Sequence, residues 1–126
     1  MNIPSNLKYT KTDEWFDPAN GALGLTDYAQ SQLSDIVFVE IHVEPGENLE
    51  TGKAIASVES VKASAETYSP VGGKVTDINK TLTEKPETIN SDPYGAAWMI
   101  KVEGATGGSD LMDATAYEKY CADRTH

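Results

Sequence analysis

Proline and glycine punctuate this chain at short intervals, a pattern that favours many short strands over long helices. The run Asp17-Pro18-Ala19-Asn20-Gly21 predicts a turn between a first strand over residues 9–15 and a second over 22–25. Thr26 can cap a short helix over residues 26–33, with Asp27 in its first turn and Tyr28, Ala29, Gln32 and Leu33 on one side. Residues 35–43 read as a strong strand with apolar side chains on both faces, which predicts burial on both sides. Pro45-Gly46 breaks it. Residues 53–59 and 64–68 then form two β-rich runs around a tip at 60–63. Pro70-Val71-Gly72-Gly73 marks a turn before a strand over 74–78. Residues 81–94 contain Pro86 and Pro93 and read as a long irregular connection, and 96–102 as the last strand. After a glycine-rich hinge over 104–108, Ser109 or Asp113 caps a terminal helix in which Leu111, Met112, Ala116, Tyr117 and Tyr120 recur at helical spacing. The expected fold is mainly β, a flattened barrel or sandwich hybrid with a short helix near 26–33 and a C-terminal helix.

The length of 126 residues and a hydrophobic fraction of 39% suit one domain with one core. Its body is expected over about residues 9–104 and its helical segment over about 109–122. The net charge of −10 repels phosphate backbones and anionic headgroups, so neither nucleic acid nor a membrane is an expected partner. Basic patches on other proteins are. One cysteine, Cys121, excludes an internal disulfide and suits a reducing compartment. Residues 1–16 carry no apolar signal core and no Arg-rich transit pattern, so a cytoplasmic setting is expected, or a mitochondrial matrix if Met1 was added to a processed form.

The tip carries the chemistry. In Val58-Glu59-Ser60-Val61-Lys62-Ala63-Ser64 one lysine stands between small or β-branched neighbours at a hairpin crest. A turn exposes its amine to another protein. A solvated ammonium is a poor nucleophile by itself, so acylation there needs an enzyme that supplies an activated acyl group. Alone, Lys62 reads as one more surface lysine, because lysines in turns are common.

Glu59-Ser60-Val61-Lys62-Ala63 resembles the lipoylation site of the glycine cleavage system H protein family. The likeness continues upstream in Gly24-Leu25-Thr26-Asp27-Tyr28-Ala29-Gln30 and in Leu33-Ser34-Asp35-Ile36-Val37-Phe38-Val39-Glu40. Downstream it runs through Tyr68-Ser69-Pro70-Val71-Gly72-Gly73-Lys74-Val75, Asn79, Leu82, Pro86, Asn90, Asp92-Pro93-Tyr94-Gly95 and Trp98. Ordered blocks from Tyr9 to Tyr120 carry more weight than a five-residue motif. The resemblance implies a non-enzymatic, single-domain lipoyl carrier, with lipoate in amide linkage to Lys62 and Glu59 read by a lipoate ligase or lipoyl transferase. It implies an aminomethyl group taken from glycine decarboxylase (P protein) and passed to aminomethyltransferase (T protein), with reoxidation by dihydrolipoamide dehydrogenase (L protein). It also implies a cleft that shelters the loaded arm, in which Thr12, Glu14 and Glu66 stand where polar groups are expected. Glu14 and Glu66 read equally well as ordinary surface acids.

Three departures bear on how the arm docks: Asp13 where a histidine commonly precedes Glu-Trp, Ile41-His42 for a leucine-proline pair, and Ala97 for a glycine. Other roles remain open to test. The chain could hand its lipoyl group to other lipoyl proteins or serve a non-glycine pathway. A biotin carrier would flank the lysine with methionines, where Val61 and Ala63 stand, and a dehydrogenase lipoyl domain is normally tethered to a linker. A hydrolase lacks a catalytic constellation in this sequence, and with two histidines, His42 and His126, a dedicated zinc site is not expected. Cys121 reads as packing, and Trp15, Trp98, Tyr28 and Phe38 as core and cleft wall.

Overall fold

The computed structural model describes residues 1–124, so His126 lies outside the described residues. In chain order the elements are β1 (Lys8–Tyr9), β2 (Glu14–Phe16), β3 (Ala22–Leu25), α1 (Asp27–Leu33), β4 (Ile36–Ile41), β5 (Asn48–Leu49) and β6 (Ala54–Ser60). They continue as β7 (Ser64–Tyr68), β8 (Gly72–Ile78), α2 (Thr81–Glu84), α3 (Thr88–Ser91), β9 (Ile100–Thr106) and α4 (Ala114–Arg124). Two antiparallel sheets result, one ordered β1-β2-β3-β9-β8-β5 and the other β4-β6-β7. The fold is mainly β, an unclosed flattened sandwich with short helices and a C-terminal helix. No described helix is long and apolar enough to cross a membrane.

Strand alternation supplies the main core. Leu23, Val75 and Val102 from the larger sheet meet Val39, Ile55 and Val58 from the smaller one, and Leu82 and Ile89 close the end. A second cluster lies under α4, where Tyr9, Trp15 and Tyr28 pack with Tyr117 and Cys121. Thr26 caps α1 by accepting the Ala29 N–H at 3.1 Å. Asp113, rather than Ser109, caps α4, its carboxylate accepting the Ala116 N–H at 2.8 Å.

Several expectations are corrected. The strand over 9–15 is two strands, β1 and β2, separated by a turn in which Asp13 takes φ +73°. Burial of β4 on both faces does not hold: a bulge between Ile36 and Phe38 turns Val37 (54% exposed) and Phe38 (45%) to solvent. Phe38 is therefore not core, while Trp15 and Tyr28 are buried. Gln32 on α1 is exposed too. Gly72 and Gly73 belong to β8 rather than to a turn, and the bend falls at residues 70–71.

The connection over 81–94 holds two helical turns, α2 and α3, that bury Leu82 and Ile89. Pro86 precedes α3 and Pro93 follows it, so neither interrupts the helix. The last strand runs over Ile100–Thr106 instead of 96–102, and Gly104 lies within it. Asn79 explains the shift: its side-chain amide donates to the carbonyls of Ala96 (2.9 Å) and Trp98 (2.8 Å), which draws them out of the ladder.

Candidate functional site

The β6–β7 hairpin builds the tip from the hydroxyl of Ser60. Its backbone N–H donates to the Ala63 carbonyl at 2.7 Å, and its Oγ accepts the N–H groups of Ala63 (3.1 Å) and Lys62 (3.3 Å). The Val61 N–H reaches across to the Asp35 carbonyl at 3.0 Å, tying the crest to the start of β4. Every backbone donor at the crest is thus used within the hairpin or by its neighbour, which stiffens it. Lys62 points outward. It is exposed, and among the described residues no ion pair engages it.

Glu59 is exposed on β6, opposite Phe38 of β4 and Ser64 of β7. Glu40, Ser57 and Glu66 form the next cross-strand row on the same outer face. There Ser57 Oγ donates to Glu66 at 3.0 Å and meets His42 Nε2 at 2.7 Å.

A separate cleft of about 550 Å³ opens between the turn over 10–13, the foot of β7 and the loop before α4. Thr10, Thr12, Glu14, Tyr68, Pro70 and Asp110 are among its walls. Glu14 is fully buried. One carboxylate oxygen accepts the hydroxyls of Thr10 (2.6 Å) and Thr12 (2.5 Å), and the other accepts the Tyr68 backbone N–H at 3.2 Å. Burial raises its pKa from 4.5 to about 7, against the lowering effect of the Thr10, Thr12 and Tyr68 hydrogen bonds, with the neighbouring Asp13 adding a further rise. A carboxyl poised there can hold a cation or exchange a proton near neutrality.

The structure therefore brings Thr12 and Glu14 together, while Glu66 bonds to Ser57 and is not among the walls of that cleft. Sequence reasoning did not single out Thr10, whose hydroxyl shares the same oxygen, nor Ser60, which shapes the tip. The available signal for Ser60 was its position before a predicted crest, where a hydroxyl can bond back to the turn. Among the described residues no His, Cys, Asp and Glu are grouped to hold a metal.

The molecule is thus a two-sheet β protein that presents an exposed lysine at the crest of a braced hairpin and keeps a buried carboxyl in a cleft at that hairpin's foot. A family model described as Glycine cleavage H-protein matches residues 7–124. Proteins described as glycine cleavage system H protein from Herpetosiphon aurantiacus and Koribacter versatilis are 41% and 46% identical. Their alignments cover 99% and 98% of this chain, and 98% and 97% of the relatives. A crystal structure of a glycine cleavage system H protein from Mycobacterium marinum superposes with a TM-score of 0.84 at 32% identity, covering 98% of this chain and all of that one. The chain belongs to the glycine cleavage H-protein family.

Proposed function

We propose that Lys62 bears a lipoyl group in amide linkage and that the chain carries an aminomethyl group from glycine decarboxylase to aminomethyltransferase, and electrons to dihydrolipoamide dehydrogenase. The observation that carries this reading is the outward Lys62, which no ion pair engages among the described residues, on a crest whose own backbone donors are satisfied. A modifying ligase or transferase can enclose such a lysine without unfolding anything, and Glu59 beside it gives that enzyme a charge to recognise. When bound, lipoate supplies a long arm ending in a redox-active dithiol.

This chain's residues do the rest. The stiff hairpin limits where the arm can swing, and the cleft offers Glu14 with the hydroxyls of Thr10 and Thr12 to a cationic amine. An ammonium there favours the ionised form of Glu14, so the carboxyl can bind it and exclude water around it. The net charge of −10 suits recognition by basic partner surfaces. Catalysis is left to the partners, and the chain acts as a carrier.

Intact mass of protein made with lipoate present tests the attachment: one lipoyl addition is expected, and Lys62→Ala should abolish it. A retained addition on the alanine variant sinks the assignment. Reconstitution with the decarboxylase and aminomethyltransferase tests the role, and absence of glycine-dependent loading would favour a lipoyl relay.

A further inference from the structure

We propose that Arg124, at the end of α4, is a positioning residue that fastens the turn over 10–13 and so keeps Glu14 and its threonine partners in place on the cleft wall. This rests on the reading above that an arm borne by Lys62 docks against Glu14. The turn supplies Thr10, Lys11 and Thr12 to the cleft and leads directly into Glu14, and its geometry is imposed from outside. Asp13 sits at φ +73°, a region that few residues other than glycine adopt.

What holds it there is α4. The Arg124 guanidinium donates to both carboxylate oxygens of Asp13, at 2.5 and 3.3 Å, and the Tyr117 hydroxyl donates to one of them at 2.8 Å. Asp13 also gives its carbonyl to the Thr26 N–H at 3.0 Å, and Thr26 Oγ1 meets the same Tyr117 hydroxyl at 2.7 Å. On the other side of Thr12, the Tyr120 hydroxyl donates to the Lys11 carbonyl at 2.9 Å. The turn is therefore pinned at Lys11 and Asp13, on either side of the threonine that bonds to Glu14.

Arg124 is itself held in place. Its guanidinium lies between the rings of Tyr28 (4.4 Å) and Tyr120 (4.2 Å), and its side chain is only 29% exposed. A planar, stacked, bidentate cation fixes direction as well as charge. Asp13, one of the departures from the family pattern, is what gives that cation its partner. All three side chains, Tyr117, Tyr120 and Arg124, end on a turn that walls the cleft.

The test uses the full chain with Arg124→Gln, Arg124→Lys, Tyr120→Phe and Glu14→Gln. Two quantities are read: the midpoint of the Glu14 carboxyl carbon titration by NMR in protein without lipoate, and the rate at which loaded protein releases ammonia and formaldehyde to water. Arg124→Gln should lower the midpoint by about one unit or more, as the turn opens to solvent, and speed release about tenfold, within the roughly hundredfold that misplacing a positioned group can cost. Lipoylation of Lys62 should be unchanged, and Arg124→Lys should restore part of both effects. Tyr120→Phe, which loses one hydrogen bond and keeps the ring against Arg124, should move both readouts the same way by less.

Folded Arg124→Gln with both readouts at wild-type values overturns the inference. Should that variant fail to fold, unchanged readouts in Tyr120→Phe overturn it instead. If Glu14→Gln releases the group no faster than wild type, the docking reading fails. If Glu14→Gln is fast and Arg124→Gln is not, only the clamp fails.

Discussion

The carboxylate of Glu14 accepts the backbone N–H of Tyr68 at 3.2 Å, a bond between the two sheets. It joins β2 to the foot of the strand that descends from Lys62. The burial of that carboxyl, which outweighs the bond, sets a pH dependence. Glu14 keeps its proton in the folded chain until about pH 7, whereas an unfolded glutamate loses it near 4.5. The folded state binds the proton more tightly, so stability from this group is complete below pH 4.5 and falls as pH rises through 7. The shift corresponds to about 3 kcal/mol at alkaline pH. Urea unfolding of wild type and Glu14→Gln at pH 5 to 8 should show the variant gaining relative to wild type by about 2.5 kcal/mol across that range. A constant difference across the range would remove the raised carboxyl from the account.

Asn90 governs the approach to the hairpin from the opposite side. Its Oδ1 accepts the Ile36 N–H at 2.9 Å, and its Nδ2 donates at 2.9 Å both to the Ser34 carbonyl and to Gln30. Ser34 needs that support because it ends α1 at φ +66°. Asn90→Ala leaves the Ile36 donor and the Ser34 acceptor without partners, at a cost of about 2–3 kcal/mol. Equilibrium denaturation measures it. A loss under about 0.5 kcal/mol would mean that water replaces the amide.

How much of this was legible in the sequence follows from how local each cause is. The tip around Lys62 was readable because two β-rich runs enclose it and Ser60 bonds within four residues. The capping of α1 by Thr26 was readable for the same reason. The turn over 10–13 was not: it contains neither glycine nor proline, and its bend at Asp13 is fixed by Tyr117 and Arg124, more than a hundred residues away. Helices α2 and α3 span four residues each, too few for a period to show. The late start of β9 depends on Asn79 capturing two distant carbonyls. Glu14 and Glu66 looked alike in sequence because strand parity alone does not say which sheet face a neighbouring turn will cover.

Gly21 is a position where a side chain has no room. It turns at φ +78°, and a Cβ there would collide with the carbonyl oxygen of Val102, whose N–H bonds to the Gly21 carbonyl at 3.0 Å. Gly21→Ala must therefore separate β3 from β9 or strain the turn. A loss above about 3 kcal/mol is expected, read as a drop in Tm of about 10 °C. Retention of wild-type Tm would contradict the contact.

The bulge in β4 separates three adjacent apolar residues into two energetic classes. Val39 is fully buried between the sheets, while Val37 and Phe38 face solvent. Val39→Ala removes packed methyl groups and leaves a cavity, at about 2 kcal/mol. Phe38→Ser and Val37→Ser remove surface that water already reaches, so each should cost under about 1 kcal/mol. Denaturation midpoints of the three variants give the comparison directly. If Phe38→Ser proved as costly as Val39→Ala, both faces of β4 would have to be covered, and the outer face of the hairpin beside Lys62 would not be the open surface that any enzyme acting on that lysine must approach.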